Sequence, residues 1–193
     1  MYKIGKENVD KIVIDKCQWG YEEYKPLTTL ELSYDDEGFN VLFNISEKNP
    51  MREKKEHLLQ VNEDSCVELF LNFSPKTSDR YMNFETNANG KMNVAFRKDR
   101  HERKKLSLEE IESFNISAEI FEDYWTVSYK ISYDFLKNYY PDFDINTCDY
   151  IIGNAYKCGD NTPIPHFLSI FDVGCDKPDF HRPEYFGKFE IVW

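Results

Sequence analysis

Glu68, Tyr81, Asn83, Glu85, Asn87 and Arg97 all fall within residues 64–97, DSCVELFLNFSPKTSDRYMNFETNANGKMNVAFR. Planar amides, carboxylates and a guanidinium make fixed, often bidentate hydrogen bonds to neighbouring hydroxyls, and aromatic rings cover the apolar C–H face of a sugar-like ring. That set has the chemistry needed to hold a neutral polyhydroxylated ligand. Glu68 and Glu85 also form a possible acid and base. Retaining glycosidases place such a pair about 5 Å apart and inverting ones roughly 6.5 to 9.5 Å apart. Adjacent strands lie about 4.8 Å apart, so a matching register would permit the arrangement.

These side chains need a sheet to present them. Side chains switch faces at every residue of a strand. Val67, Leu69, Leu71 and Phe73 therefore share one face, with Glu68, Phe70 and Asn72 on the other. In the next run Met82, Phe84 and Thr86 point inward, leaving Tyr81, Asn83, Glu85 and Asn87 outward. In a third run Met92, Val94 and Phe96 take the core side, and Asn93 and Arg97 join the polar set. A solvated strand face is usually a mixture of Lys, Glu and Thr. Amides and acids on adjacent strands favour a binding face.

Further alternating runs cover 11–14, 27–34, 39–46, 116–121, 125–131, 150–158, 167–171 and 186–192. Asp35-Asp36-Glu37-Gly38, Asn89-Gly90 and Glu122-Asp123 supply the turn chemistry that joins neighbouring runs. Two short helices are expected. One starts at Ser107, with Glu110 three residues on as in a capping box, and the other covers 133–140 before Pro141. Many short strands, no long helical period and no Gly-, Ser- or Pro-rich linker predict an all-β chain. The expectation is a single β-sandwich over 1–193, with jelly-roll or immunoglobulin-like layers. A proline-bearing tail, 159–183, should form a semi-rigid cap over one face.

The net charge of −11 disfavours nucleic acid and anionic membrane surfaces, both of which would repel the chain. The basic run RKDRHERKK from Arg97 could contact an anion, but a solvated loop is the commoner fate of such a run. Five cysteines without a CxxC pair argue against a disulfide scaffold. Residues 1–30 hold no apolar signal core and no bilayer-length segment, so no membrane insertion is expected. The chain should work in the cytoplasm, or be secreted with its signal removed.

Cys158, His166, Cys175 and His181 invite a zinc reading, yet their successive spacings fit structural zinc only at the last pair. Haem has no paired Met and His pattern to support it. Asp35, Asp36 and Glu37, with Asp142 and Asp144, could hold calcium, although no EF-hand spacing is present. Of the tryptophans, Trp125 reads as core, while Trp19, beside Gly20 in an N-terminal loop, could reach over a ligand.

Asp64-Ser65-Cys66-Val67-Glu68-Leu69-Phe70, then Tyr81-Met82-Asn83-Phe84-Glu85-Thr86-Asn87 and Gly90, closely resemble the core of family 9 carbohydrate-binding modules and their stand-alone relatives, which share a DOMON-like β-sandwich. The tail carries the same resemblance through Gly153-Asn154-Ala155-Tyr156-Lys157-Cys158-Gly159-Asp160, Pro165-His166-Phe167-Leu168-Ser169 and the run from Pro178 to Gly187. It implies non-catalytic binding of a sugar, such as the end of a xylan or cellulose chain, in carbohydrate catabolism. An aromatic pair would clamp the ring, and Glu68 would belong to the ligand-reading set. The family carries arginine where Glu85 stands, so its cation would have to come from Arg97 or Arg100. Ile170 stands where relatives often have tryptophan. The capping tail adds Asn154, Tyr156, His166 and His181 to the candidate ligand residues. A glycoside hydrolase using Glu68 and Glu85, and an interaction domain with a decayed site, are the alternatives.

Overall fold

A computed structural model describes residues 1–6 and 10–193. Fourteen strands are described: β1 (Tyr2–Ile4), β2 (Lys11–Val13), β3 (Lys16–Cys17), β4 (Thr28–Tyr34), β5 (Gly38–Ile45), β6 (Cys66–Asn72), β7 (Tyr81–Asn87), β8 (Met92–Arg97), β9 (Arg103–Lys105), β10 (Ser117–Ile120), β11 (Trp125–Ser132), β12 (Tyr150–Gly159), β13 (His166–Ser169) and β14 (Gly187–Ile191). They form two sheets. The larger runs β1-β14-β12-β6-β7-β8-β9, with β13 and β3 attached beside β12, and the smaller runs β10-β11-β5-β4-β2. The expected β-sandwich is therefore present.

Between the sheets lies one apolar core. Val67, Leu69, Leu71, Met82, Phe84, Met92 and Val94 enter it from the larger sheet, and Leu30, Phe43, Trp125, Val127 and Ile131 from the smaller. These are the inward phases expected from alternation. The smaller sheet keeps a wet outer face, and β11 alternates buried and half-buried residues along its length. The larger sheet behaves differently, because every residue of β6 and β7 is buried.

A second apolar cluster explains that difference. Phe70, Tyr81, Tyr156 and Cys158 on the outer face of the larger sheet pack under Phe167, Val173 and Phe180, with Trp19, Tyr185 and Phe186 at the margin. Residues 173–186 and the loop around Trp19 thus roof the face that alternation marks as polar, while part of the expected cap, residues 166–169, joins the sheet as β13. Tyr156 stacks on Phe180 with ring centroids 3.9 Å apart, and Phe70 stacks on His181 at 4.9 Å. Stacked and edge-to-face rings of this kind add to the area they bury.

Local chemistry sets the connections. Gly90 takes the left-handed turn conformation at φ +70° between β7 and β8, which glycine adopts without a side-chain clash. α1 (Leu108–Glu112) opens on the expected capping box of Ser107 and Glu110. α2 (Tyr133–Lys137) is capped by the Ser132 side chain and stops earlier than the 133–140 pattern suggests. Three short strands escape the sequence pattern: β1, which pairs parallel with β14, β3 and β9. The basic run is not simply a loop, since its last part is the edge strand β9, in register with β8 from Ala95↔Lys105 to Arg97↔Arg103.

Candidate functional site

A pocket of about 230 Å³ opens between the outer face of β6–β9 and the cap. Its floor comes from consecutive strands: Glu68 on β6, Glu85 on β7, Asn93 and Arg97 on β8, and Arg103 and Lys105 on β9. Trp19, Phe167 and Phe180 form an aromatic wall, and Asp179 and His181 stand beside them. Leu58, Gln60 and Asn62, with Asp160, close the opposite side. That side is held by Asp64, whose carboxylate accepts from the backbone N–H groups of Glu53 and Lys54 and from Asn87 Nδ2.

The polar floor is tied together before any ligand arrives. Glu68 and Glu85 are direct cross-strand partners. Asn83 Nδ2 donates to Glu85 Oε1 at 2.8 Å, and Asn93 Nδ2 donates to Oε2 at 2.8 Å. The Arg97 Nε–H donates in turn to Asn83 Oδ1, and its Nη1 donates to the Arg100 carbonyl at 3.1 Å. Asn93 Oδ1 is buried with no hydrogen-bond partner. Buried polar atoms are rarely left so, and this one lies on the pocket lining.

Burial shifts the acids upward. Glu68 is pushed well above the ordinary carboxylate range, first by desolvation and then by the neighbouring Glu85. Desolvation also raises Glu85, against the hydrogen bond from Asn93 and the charge of Arg97. Two such acids cannot both ionise cheaply in a dry site, and the upward push is the stronger on Glu68. His181 is driven down to about 2 by burial and then by Arg97, Arg100 and Arg103, so its ring is neutral. Its Nδ1 lies 3.1 Å from the Tyr81 hydroxyl and its Nε2 lies 3.9 Å from Glu85 Oε1. With Tyr81 donating to Nδ1, the ring proton sits on Nε2 and faces Glu85.

Of the sequence candidates, Glu68, Glu85, Arg97 and His181 line the pocket, and Tyr81 and Asn83 hydrogen-bond to them, Tyr81 to His181 and Asn83 to Glu85 and Arg97. The other four lie elsewhere. Asn87 donates to the Lys54 carbonyl and Asp64, and its own oxygen accepts from the N–H groups of Asn89 and Lys91, which fixes the hairpin. Asn154 binds the Phe171 backbone through both ends of its amide. Tyr156 is fully buried and donates to the Phe180 carbonyl at 3.2 Å. His166 points into the sandwich, where its Nε2 meets Lys157 Nζ at 2.7 Å. The reason is register: His166 and Leu168 share a face of β13, and that face looks inward. Ile170 likewise packs in the main core.

Residues that the sequence reading passed over include Arg103, Lys105, Asn62, Asp160, Phe167 and Phe180. The signal available for the first two was the basic run. The cation expected from Arg97 or Arg100 is present in the pocket from both. Trp19 is the loop ring expected to reach the ligand side. It packs 5.2 Å from Phe180 and donates through Nε1 to the Cys175 carbonyl at 2.6 Å.

Cys66, Glu68 and Cys158 bring three possible ligand atoms within 4.8 Å of one another. Their present chemistry is that of protonated thiols. Cys158 Sγ–H donates to Glu68 Oε1 at 3.2 Å, the contact with Cys66 and burial raise the Cys158 thiol, and burial lifts Cys66 to about 11. The Cys158, His166, Cys175, His181 zinc set does not assemble, because His166 and His181 lie on opposite faces of the sheet. Four acids of the calcium reading hold other partners: Asp36 pairs with Lys6, Asp35 and Glu37 with Lys130, and Asp144 caps Asn146. All five cysteines are free, with Cys66 and Cys158 buried and Cys17, Cys148 and Cys175 half-buried. Iodoacetamide on the folded protein should therefore label the last three well before the buried pair, as peptide masses would show.

The model of one family, Carbohydrate-binding family 9, matches residues 2–191. The chain belongs to carbohydrate-binding family 9. Family membership makes its function carbohydrate binding. Among solved structures, a candidate carbohydrate-binding protein from Bacteroides uniformis ATCC 8492 is similar at 25% identity and TM-score 0.80, over 95% of this chain and 87% of that one. Two structures of a family 9 module from Caldicellulosiruptor kristjanssonii share the fold. The one in complex with cellotriose has 11% identity and TM-score 0.68, covering 98% of this chain and 92% of that one. The one in complex with glucose has 12% identity and TM-score 0.64, covering 99% and 94%. No curated protein matches. Among the described residues, no helix is long and apolar enough to cross a membrane.

Proposed function

We propose that the chain binds the end of a saccharide, without cleaving it, in the pocket between β6–β9 and the cap. The observation that carries this reading is the preorganised floor. Glu85 is held at both oxygens by Asn83 and Asn93, beside a cross-strand Glu68 and beneath the aromatic wall of Trp19, Phe167 and Phe180. A donor and acceptor set fixed in advance binds hydroxyls at low ordering cost. At about 230 Å³ the pocket falls below the roughly 300 Å³ at which small-molecule sites usually begin. That supports a terminal ring over a long internal stretch of polymer. The glucose and cellotriose complexes of the Caldicellulosiruptor module fit the same ligand class.

Calorimetric titration with monosaccharides and with cello- and xylo-oligosaccharides tests the reading. Saturable binding that Glu68→Gln or Asn93→Ala weakens by about tenfold, the loss of one good polar contact, is the expected result. No binding to any sugar, neutral or charged, would remove it. The register of Glu68 opposite Glu85 keeps hydrolysis as the second reading. Against it, both oxygens of Glu85 are already engaged. Turnover of chromogenic glycosides that disappears in Glu68→Gln would establish the enzyme instead.

A further inference from the structure

The cations of this pocket gather on its β8–β9 side, with Glu85 near enough to feel the charge of Arg97 and Lys105. Arg97 and Arg103 are direct partners across β8 and β9, and Lys105 stands on the same face, one step along, opposite Ala95. Like charges placed directly opposite on antiparallel strands are destabilising, and the protein does little to relieve this pair. Arg103 donates to the Arg100 carbonyl at 3.0 Å and Lys105 to the Leu58 carbonyl at 3.3 Å. Both bonds go to neutral backbone. The ion pair that spans the pocket rim uses Arg100 and Asp179 at 2.7 Å. Among the described residues, Arg97, Arg103 and Lys105 are left without an ion-pair partner.

Arg97 is the most telling of the three. It is 4% exposed. Its Nε and Nη1 are taken by Asn83 and the Arg100 carbonyl, while Nη2 has no hydrogen-bond partner among the described residues and the side chain lines the cavity. A buried guanidinium that lines a cavity and keeps one nitrogen unpaired can donate a charge-assisted hydrogen bond to an oxyanion. Beside it, the unpartnered Asn93 Oδ1 can accept from a hydroxyl. The pocket therefore offers a cationic corner next to a hydroxyl-reading floor. Burial pushes Glu68 toward its neutral form, which tilts the local balance the same way, in a chain whose net charge is −11. That overall charge keeps polyanions such as nucleic acid away while leaving a single small anion able to enter.

We infer that the saccharide this pocket takes carries one anionic group, a carboxylate or a sulfate or phosphate ester, seated against Arg97, Arg103 and Lys105. The inference rests on the saccharide reading above and narrows its ligand to an acidic sugar. Neutral glucose would then fill the floor and leave the cationic corner unsatisfied.

Calorimetry on the whole chain at low and high salt compares glucose with glucuronic acid, galacturonic acid, glucose 6-sulfate and glucose 6-phosphate. At least one acidic sugar is expected to bind about tenfold or more tightly than glucose, the scale of one charge-assisted contact, with the advantage shrinking as salt rises. A preference for the uronates identifies the carboxylate, and a preference for the esters identifies the tetrahedral oxyanion. In the double variant Arg103→Gln, Lys105→Gln, whose positions are exposed, that preference should collapse to within about twofold, with circular dichroism reporting an intact fold. Glucose binding as tightly as every acidic sugar would overturn the inference and leave the saccharide reading standing. Failure of all the sugars, neutral ones included, would overturn both.

Discussion

Lys157→Met is expected to lower the unfolding free energy by about 3 to 5 kcal/mol, the usual effect of removing one partner from a buried ion pair. Lys157 is fully buried, yet its ammonium is well satisfied. Nζ lies 3.3 Å from Glu47 Oε2, donates to the Cys158 carbonyl at 2.9 Å and sits 2.7 Å from His166 Nε2. Because that ammonium can only donate, Nε2 must accept, and the ring proton is on Nδ1, donating to the Ile164 carbonyl at 2.9 Å. Glu47 accepts in addition from Trp125 Nε1 at 3.0 Å and from Ser65 Oγ at 2.9 Å. Removing the cation leaves the Glu47 carboxylate stranded among Trp125, Ser65 and His166. Urea denaturation at pH 7 measures the effect. Adding Glu47→Gln to the variant should restore part of the loss, since the stranded charge then disappears. A single variant within about 1 kcal/mol of the parent would mean that the pair contributes no more than an exposed one.

This network shows what kind of information the sequence carried. Alternation placed Val67, Phe84 and Val94 inward and Glu68, Glu85 and Arg97 outward without error, because a strand's phase is fixed by its own residues. The Ser107 capping box and the Asn89-Gly90 turn were legible for the same local reason. What covers a face is not local. Phe70 and Tyr81 read as members of an outward polar face, yet Phe180 and His181, about a hundred residues along from Tyr81, turn that face into a second core. Asn87 and Asn154 then serve backbone groups of the hairpin and the cap, a use their residue type does not distinguish from ligand binding. His166 follows from phase, since β13 begins at His166 and not at Phe167. The basic run misleads for a different reason. Charged residues protect exposed sheet edges, so β9 has the composition of a loop while keeping the register that brings Arg103 opposite Arg97.

The pH dependence of stability should show two opposing sets of buried groups. His166 is held down to about 4, first by burial and then by Lys157, and His181 to about 2. A base whose folded value lies below its unfolded value of 6.5 is protonated more readily in the unfolded chain. Stability is therefore lost as pH falls below 6.5, by up to about 1.4 kcal/mol per pH unit for each ring, until the folded value is reached. Glu68 and Glu85 act in the reverse sense. Their folded values are raised above 4.5, so the folded state holds protons that the unfolded state releases, and stability is lost as pH rises above 4.5. Above 4.5 the two sets oppose one another for as long as the folded glutamates keep the protons that the unfolded chain has released. Glu68→Gln separates them. Its urea midpoint should gain on that of the parent as pH rises above 4.5, and its acid side should fall more steeply because the compensating proton is gone. Parallel profiles for parent and variant across that range would show that Glu68 is ionised in the folded protein. The same result would bear on recognition, because a neutral Glu68 can donate to a sugar oxygen whereas a carboxylate can only accept.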